Sequence, residues 1–211
     1  MSEAAAPEPP EPSEDPLHAD AVAVLQGWAA PDAEGERLRA DYLGFLGEHP
    51  DGMRRSCLPE HLTASALVVD AAGERALLTL HAKGGFWVQT GGHCEPQDRT
   101  LAVAALREAT EESGIEGLTV LPGPVDGLVD LDRHRLSGSF GTCRAHWDVR
   151  YVVVAPPGAV ERRSEESTRL GWFDLAAMAE GRLHPEPAAG SAVVDLGRLA
   201  RAARTALAPR A

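Results

Sequence analysis

The sequence predicts a mixed α/β or α+β domain, with helices packed on a mixed sheet, from three observations. Short apolar, β-branched runs recur between residues 62 and 173 with helical stretches among them, yet without strict βαβ alternation and with no internal repeat. A hydrophobic content of 44% in 211 residues is enough for a single buried core. The three cysteines, Cys57, Cys94 and Cys143, are too sparse and odd a set for a disulfide framework, so packing must hold the fold in a reducing compartment. No window approaches the roughly 18 apolar residues of a membrane span, and the N-terminus lacks the regions of a signal peptide. A soluble cytoplasmic protein is expected. The formal charge of -12 weighs against a polyanionic partner unless a cation intervenes.

Residues 1–16 carry five prolines and five acids, with no basic side chain and almost no bulky apolar one. Such a segment cannot offset its ordering entropy, and it is expected to be a disordered tail. Without those five acids the rest of the chain stands at -7. A helical extension is expected over 17–50, broken at Pro31. Leu17, Ala21, Val24 and Trp28 recur at helical spacing in its first half, and Leu38, Tyr42, Phe45 and Leu46 in its second. Its apolar face would pack on the main domain or on a second subunit.

The main domain is expected over 55–185. Leu62 to Val69 and Ala76 to Leu80 flank a turn at Ala71 to Gly73 and read as a hairpin. Phe86 to Thr90 is a strand running into Gly91-Gly92, and Thr100 to Ser113 is a helix ended by Gly114. Further strands are expected at Leu118 to Leu121, Gly127 to Leu131, Asp148 to Ala155 and Leu170 to Phe173, then a short helix at Leu175 to Glu180. Pro185 and Pro187 mark a linker. A C-terminal amphipathic helix within 190–211 carries Val193, Leu196, Ala200, Ala203 and Leu207.

Chemistry concentrates in the helix before Gly114. At about 100° per residue, Glu108, Glu111 and Glu112 share one face, while Val103, Leu106, Ala109 and Thr110 lie on the other. Like charges at such spacing cost roughly 0.2 to 0.5 kcal/mol per pair, and the C-terminal turn of a helix also disfavours negative charge. Arg107 is the local counter-charge. A hard divalent cation would balance the carboxylates, because Mg²⁺ and Mn²⁺ take oxygen ligands and keep waters for a phosphate. A solvated acidic face is the alternative. The upstream run Gly91-Gly92-His93-Cys94-Glu95-Pro96 bears on the choice, since a glycine pair lets the backbone approach a ligand closely.

From Gly91 to Ile115 the chain resembles the signature of the Nudix hydrolases: a glycine, a loop acid, then Arg-Glu-apolar-x-Glu-Glu-x-Gly-apolar, matched by Arg107 to Ile115 with Ala109 as the apolar residue. The resemblance covers about residues 60 to 180. It implies an α/β/α sandwich with a mixed sheet, and a hydrolase that uses Mg²⁺ or Mn²⁺ to cut a diphosphate linkage in a nucleoside diphosphate derivative or nucleotide. It implies Glu108, Glu111 and Glu112 as metal ligands with the Gly92 carbonyl, Arg107 as the residue orienting the glutamates, and a helix glutamate or a later loop glutamate as general base. Glu166, before Trp172-Phe173, is the loop candidate. One departure stands out. The usual loop acid falls at Arg99, and the spacing from Gly92 to Arg107 is one residue longer than the common pattern, which leaves Asp98 or Glu95 to supply the acid.

Other residues offer further readings. His146, Asp148 and Arg150 share a strand face, where Arg150 would grip a phosphate or form a structural ion pair with Asp148. Phe86, Trp87 and Trp172 would stack on a base or serve packing. His93, His134, Cys94, Cys143 and His146 are zinc-ligand types, but their spacing matches no Cys-x-x-Cys or His-x-x-x-His pattern. The expected partner is a small nucleotide-type molecule rather than a long nucleic acid, since no basic stripe is present. The helices at 17–48 and the C-terminal helix are offered as surfaces for a homodimer. Two alternatives stand beside the hydrolase: a Nudix-fold ligand-binding or regulatory module without turnover, and an isopentenyl-type isomerase. Specificity in a shared fold lives in loops, so the substrate is not legible here.

Overall fold

A computed structural model of the chain describes residues 15–82, 85–136, 141–163, 167–182, 192–193 and 196–208. Its centre is β1 (Glu60–Val69), which forms the expected hairpin with β2 (Arg75–His81), pairing Val68 with Leu77 and Val69 with Ala76. The Asp70 carboxylate closes the turn by accepting the backbone N–H groups of Glu74 and Arg75 at 2.8 and 3.2 Å. The single strand expected at 86–90 divides in two. β3 (Phe86–Val88) stays with β2, whereas β4 (Thr90–His93) crosses to β1 and pairs Thr90 with Ala66 and His93 with Thr63. Gln89, buried at the crossing, donates to Ser65 Oγ and Asp148 Oδ2.

On its other edge β1 runs parallel to β7 (Ala145–Val154), in continuous register from Glu60 opposite Ala145 to Val69 opposite Val154. β5 (Thr119–Val120) and β6 (Leu128–Arg135) pair antiparallel with β7, and β8 (Ser167–Asp174) with β2. Val193, expected on the C-terminal helix, instead belongs to a short β9 (Ala192–Val193) that lies parallel to β3, and the helix begins only at Gly197. β6 runs four residues beyond its expected end, because Arg133, His134 and Arg135 pair with Trp147, His146 and Ala145. The sheet is therefore mixed, as the strand pattern requires.

Alternation along β1 divides the interior. Leu62, Ala64, Ala66 and Val68 face a core closed by α1 (Pro16–Gly27), α2 (Ala33–Glu48) and α3 (Leu101–Ser113). Leu67 and Val69 face a second core closed by α4 (Leu175–Ala179) and α5 (Gly197–Leu207). Helices on both faces of a mixed sheet make the α/β/α sandwich. On the second face the first half of β1 is different: His61, Thr63 and Ser65 are polar and buried.

The N-terminal extension is part of the first core. Leu17, Ala21 and Leu25 of α1 and Tyr42 and Leu46 of α2 are at most 2% exposed within it. Leu199, Ala200 and Ala203 of α5 are likewise fully buried in the second core. The apolar stripes offered by the sequence as dimer surfaces are thus covered within the chain itself. Asp15 and Pro16, assigned to the tail by composition, instead cap and open α1, with Asp15 accepting the Leu17 N–H at 3.1 Å and pairing with Arg54. No helix among the described residues is long and apolar enough to cross a membrane.

α3 lies against β1 through Leu101, Ala104, Ala105 and Ala109, all at 0% exposure, and small side chains on both elements let the backbones come close. Its first turn is capped twice. Thr100 Oγ1 accepts the Val103 N–H at 3.1 Å, and the Asp20 carboxylate, from α1, accepts the Leu101 N–H at 2.8 Å. Burial raises the pKa of Asp20, a tendency opposed by the Leu101 hydrogen bond. At the other end Gly114 adopts φ +63°, and a Cβ there would meet the Arg162 carbonyl oxygen at 2.6 Å. Asp20→Ala should destabilise the protein by about 1 kcal/mol through the lost cap. Asp20→Asn, which keeps an acceptor without the buried charge, should lie within about 0.5 kcal/mol of the parent. Urea unfolding of the three proteins checks this, and equal losses in Ala and Asn would remove the capping role.

Candidate active site

β4 delivers two glycines to the edge of α3 for different reasons. Gly91 has φ +155°, and a Cβ on it would strike the Ser65 Cβ at 2.3 Å, so only glycine lets β4 lie this close to β1. Gly92 faces the helix, and a Cβ on it would meet the carboxylate of Glu108 at 2.8 Å. The Glu108 carboxylate therefore rests directly on the β4 backbone. Glu112 reaches the same strand, with Oε2 accepting the Gly91 N–H at 3.3 Å.

Arg107 ties the loop to the helix with all five of its N–H donors. Nε and Nη2 bond the two carboxylate oxygens of Asp98 at 3.2 and 2.9 Å. Nη2 also donates to the His93 carbonyl at 3.0 Å. Nη1 donates to Glu108 Oε1 at 3.0 Å and Glu111 Oε2 at 3.1 Å. Burial works against the charge on Arg107, but Asp98 and Glu108 outweigh it and raise its pKa above the ordinary value. Asp98, not Glu95, fills the loop-acid position left open by the sequence. Its side chain is 2% exposed, and Oδ2 also accepts the Glu95 N–H at 2.8 Å. Glu95 instead pairs with the Gln97 amide. The extra residue between Gly92 and Arg107 thus follows Asp98, and the arginine still meets its acid.

The three helix glutamates do not gather about one point. Glu111, 59% exposed, is drawn to Arg107, and the trio is absent from the groups of described residues whose ligand atoms lie within 4.8 Å of one another. Mutual repulsion of three carboxylates explains the spread. The donors still suit a hard divalent cation: two carboxylates fixed against the β4 backbone, a third at the rim, and oxygen atoms only.

A family model described as the NUDIX domain matches residues 59–192. The chain belongs to the Nudix family. Among solved structures it is similar to a NUDIX-family hydrolase from Clostridium perfringens, at 19% identity over 69% of this chain and 97% of that one, with a TM-score of 0.52. It is also similar to an Ap4A hydrolase from C. elegans in a binary complex, at 19% identity over 68% and 95% of the two chains, with a TM-score of 0.51. At these identities the likeness is one of fold. Helices α1 and α2 precede the matched region, although they share its core.

The Nudix sheet places Arg150 elsewhere than a phosphate-gripping role requires. Its guanidinium, 6% exposed, bonds Asp148 Oδ2 at 3.1 Å, Asp132 Oδ2 at 2.8 Å and Asp130 Oδ2 at 3.4 Å. Burial opposes its charge, and the three aspartates more than offset that and raise its pKa. Asp148 in turn accepts Thr63 Oγ1 at 3.0 Å, Ser65 Oγ at 2.7 Å and Gln89 Nε2 at 3.1 Å. The expected proximity of Asp148 and Arg150 is present as a buried network, and Arg150 is not available to a substrate. Phe86 lies at the start of β3 with its ring against His81, centroids 5.5 Å apart. Trp87 is buried edge-on to Phe173, and Trp172 donates to Glu161 Oε2 at 2.9 Å, so both indoles serve packing. Glu166 lies outside the described residues.

The polar half of the second face holds a feature that the sequence does not show. His61 of β1 is the register partner of His146 of β7, and His93 ends β4 beside them. Ring centroids lie 5.0 Å apart for His61 and His93, 5.0 Å for His61 and His146, and 5.3 Å for His93 and His146. Burial, then the neighbouring imidazoles, lowers the pKa of His93 to about 4 and of His146 to about 3. Cys94, grouped with these residues by type, is not among them: it is buried in the first core, and burial raises its thiol pKa to about 12.

Two outcomes follow for stability. Replacing Arg150 with Met should cost about 3–5 kcal/mol, because it strands buried carboxylates; chemical denaturation measures it, and a loss below about 1 kcal/mol would show that the network relaxes. For a histidine with a lowered folded pKa, the unfolded chain binds protons first, so stability present near neutrality is lost as pH falls from about 6.5 towards 4. His61 and Arg55 lower both pKa values further, and His134 that of His146, which enlarges this loss. Unfolding of EDTA-treated protein at pH 7 and pH 5 should show the drop, and His146→Asn should flatten it.

Proposed function

We propose that the protein is a divalent-metal-dependent pyrophosphohydrolase that cleaves a diphosphate linkage in a nucleoside diphosphate derivative or nucleotide. The observation that carries this reading is the Glu108 carboxylate seated against Gly92 and tied through Arg107 to Asp98. Glu108, Glu112 and the Gly92 carbonyl would hold Mg²⁺ or Mn²⁺, with Glu111 joining from the rim. When bound, such an ion neutralises a diphosphate, polarises the phosphorus and makes hydroxide accessible near neutral pH.

The side chains supply position. Arg107 sets the orientation of Glu108 and Glu111 and holds the His93 carbonyl, which fixes the end of β4 next to Gly92. Asp98 keeps Arg107 in place from a buried site, acting through the arginine rather than on a substrate. The general base is assigned to a glutamate, with Glu166 the loop candidate. Arg162, four positions before Glu166 in the sequence, donates its N–H to the Ser113 carbonyl at the end of α3, one residue from Glu112. A compact diphosphate, rather than a long nucleic acid, fits a protein with net charge -12.

A panel of ADP-ribose, nucleotide sugars, dinucleoside polyphosphates, oxidised nucleoside triphosphates and coenzyme A, each with Mg²⁺ or Mn²⁺, tests the reading through the bond that is cut. Dinucleoside polyphosphates are included because one structural neighbour is an Ap4A hydrolase. EDTA should abolish turnover. Glu112→Gln should lower kcat on the order of 10²-fold or more, the scale of losing an electrostatic stabiliser at a reacting centre. Asp98→Asn should lower activity by about 10–100-fold through loosened ligand positioning. Full activity in both Glu111→Gln and Glu112→Gln would overturn the proposal. Thermal stabilisation by a panel compound without turnover would transfer the assignment to a binding module.

A further inference from the structure

We propose that His61, Cys143 and His146, completed by His93, form a Zn²⁺ site separate from the carboxylate corner. One ligand atom from each of His61, Cys143 and His146 lies within 4.8 Å of the others. The Cys143 sulfur is 3.8 and 3.9 Å from the two ring nitrogens of His61. The fourth ring, His93, is 5.0 and 5.3 Å from those of His61 and His146. Tetrahedral zinc, with Zn–N near 2.0–2.1 Å and Zn–S near 2.3 Å, needs ligand atoms roughly 3.3–3.8 Å apart, so shifts of about 1 Å bring His61, Cys143 and His146 to that spacing. Cys143 stands two residues before β7, outside its paired backbone, with its thiol donating to the Ala145 carbonyl at 3.4 Å.

The surroundings match a metal-binding imidazole set. His61 Nδ1 sits 3.1 Å from the Cys57 carbonyl. A carbonyl only accepts, so Nδ1 donates and the lone pair is on Nε2, the arrangement that orients metal-ligating histidines. The carboxylates on the same sheet face are committed elsewhere: Asp148 and Asp130 to Arg150, and Asp132 to Arg150 and His134. What remains is nitrogen and sulfur, a donor set that selects borderline-soft Zn²⁺ over Mg²⁺. His134, 41% exposed with its ring 5.6 Å from His146, marks the solvent side through which an ion enters. Strand alternation separates the two sites: Gly92 points to Glu108 on the α3 side, and His93 to the opposite face. A bound zinc would pin β4 to β1 and β7 directly behind Gly92.

The test is metal analysis of the full chain, loaded with Zn²⁺ and dialysed against excess Mg²⁺. One zinc per chain is expected, together with a raised Tm. Cobalt substitution should produce thiolate-to-cobalt charge-transfer absorption that Cys143→Ser abolishes. Cys143→Ser and His146→Gln should each weaken zinc affinity on the order of 10–100-fold or more, whereas Glu112→Gln should retain zinc while losing hydrolysis. Circular dichroism of the metal-free variants separates lost ligands from lost fold; should one histidine variant fail to fold, the cobalt spectrum of Cys143→Ser decides. Absence of stoichiometric zinc, or zinc retained undiminished in the Cys143→Ser, His146→Gln double variant, would overturn the proposal.

Discussion

The Arg107 guanidinium is the constraint around which this site is arranged. Its bonds reach a loop acid, a strand carbonyl and two helix glutamates, so loop, β4 and α3 are placed relative to one another by one planar group. Planarity matters here, because a fork of fixed N–H directions imposes geometry where a lysine would supply only charge. With the side chain 16% exposed and Asp98 2% exposed, the pair is shielded enough for this geometry to persist. The glycines of β4 and the short side chains of α3 then set how near the carboxylates come to the strand. Without Arg107, Glu108 and Glu111 would lose the cation that draws both of them, and the three acids in the last two turns of the helix would repel one another more strongly.

A second charged network stabilises the same sheet by different means. Arg150, set among Asp130, Asp132 and Asp148, is a buried cation whose desolvation is offset only because several acceptors surround it. Arg198 of α5 adds a contact to Asp130 at 2.9 Å, which connects the C-terminal helix to β6. Continuing along that face, the aspartates give way to imidazoles, and the chemistry changes from anion–cation pairing to a cluster of neutral nitrogen donors. One sheet face thus holds three regions in sequence: the apolar second core, the arginine–aspartate network and the histidines.

Much of the fold was legible because local patterns carry it. The hairpin at β1 and β2, α3 with its glycine stop, and the helices on either side of Pro31 all lie close to where periodicity places them. The misreadings have physical causes. The strand at 86–90 is interrupted because the chain exchanges partners at Gln89, from β2 to β1, and partner choice leaves no mark on local hydrophobicity. The end of β6 was missed because Arg133, His134 and Arg135 are polar residues held in the strand by their partners on β7. Between packing on the main domain and packing on a second subunit, the two readings the apolar stripe of the N-terminal helices allowed, the structure shows the first, since a sequence shows that a stripe must be covered but not by what.

The sequence by itself determined the carboxylate face of α3, its arginine, its glycine cap and the family these residues point to, since all follow from spacing within one helix and its approach loop. Only the tertiary structure decided which acid meets Arg107, because an inserted residue makes Asp98 and Glu95 equivalent in sequence but not in space. It also decided that Arg150 belongs to a buried network, and that His61, His93, Cys143 and His146 share one pole. Those decisions rest on the register of β1 against β4 and β7 and of β6 against β7, which joins residues up to 85 positions apart, as at His61 and His146. Contacts set by strand register become readable only once the sheet is assembled.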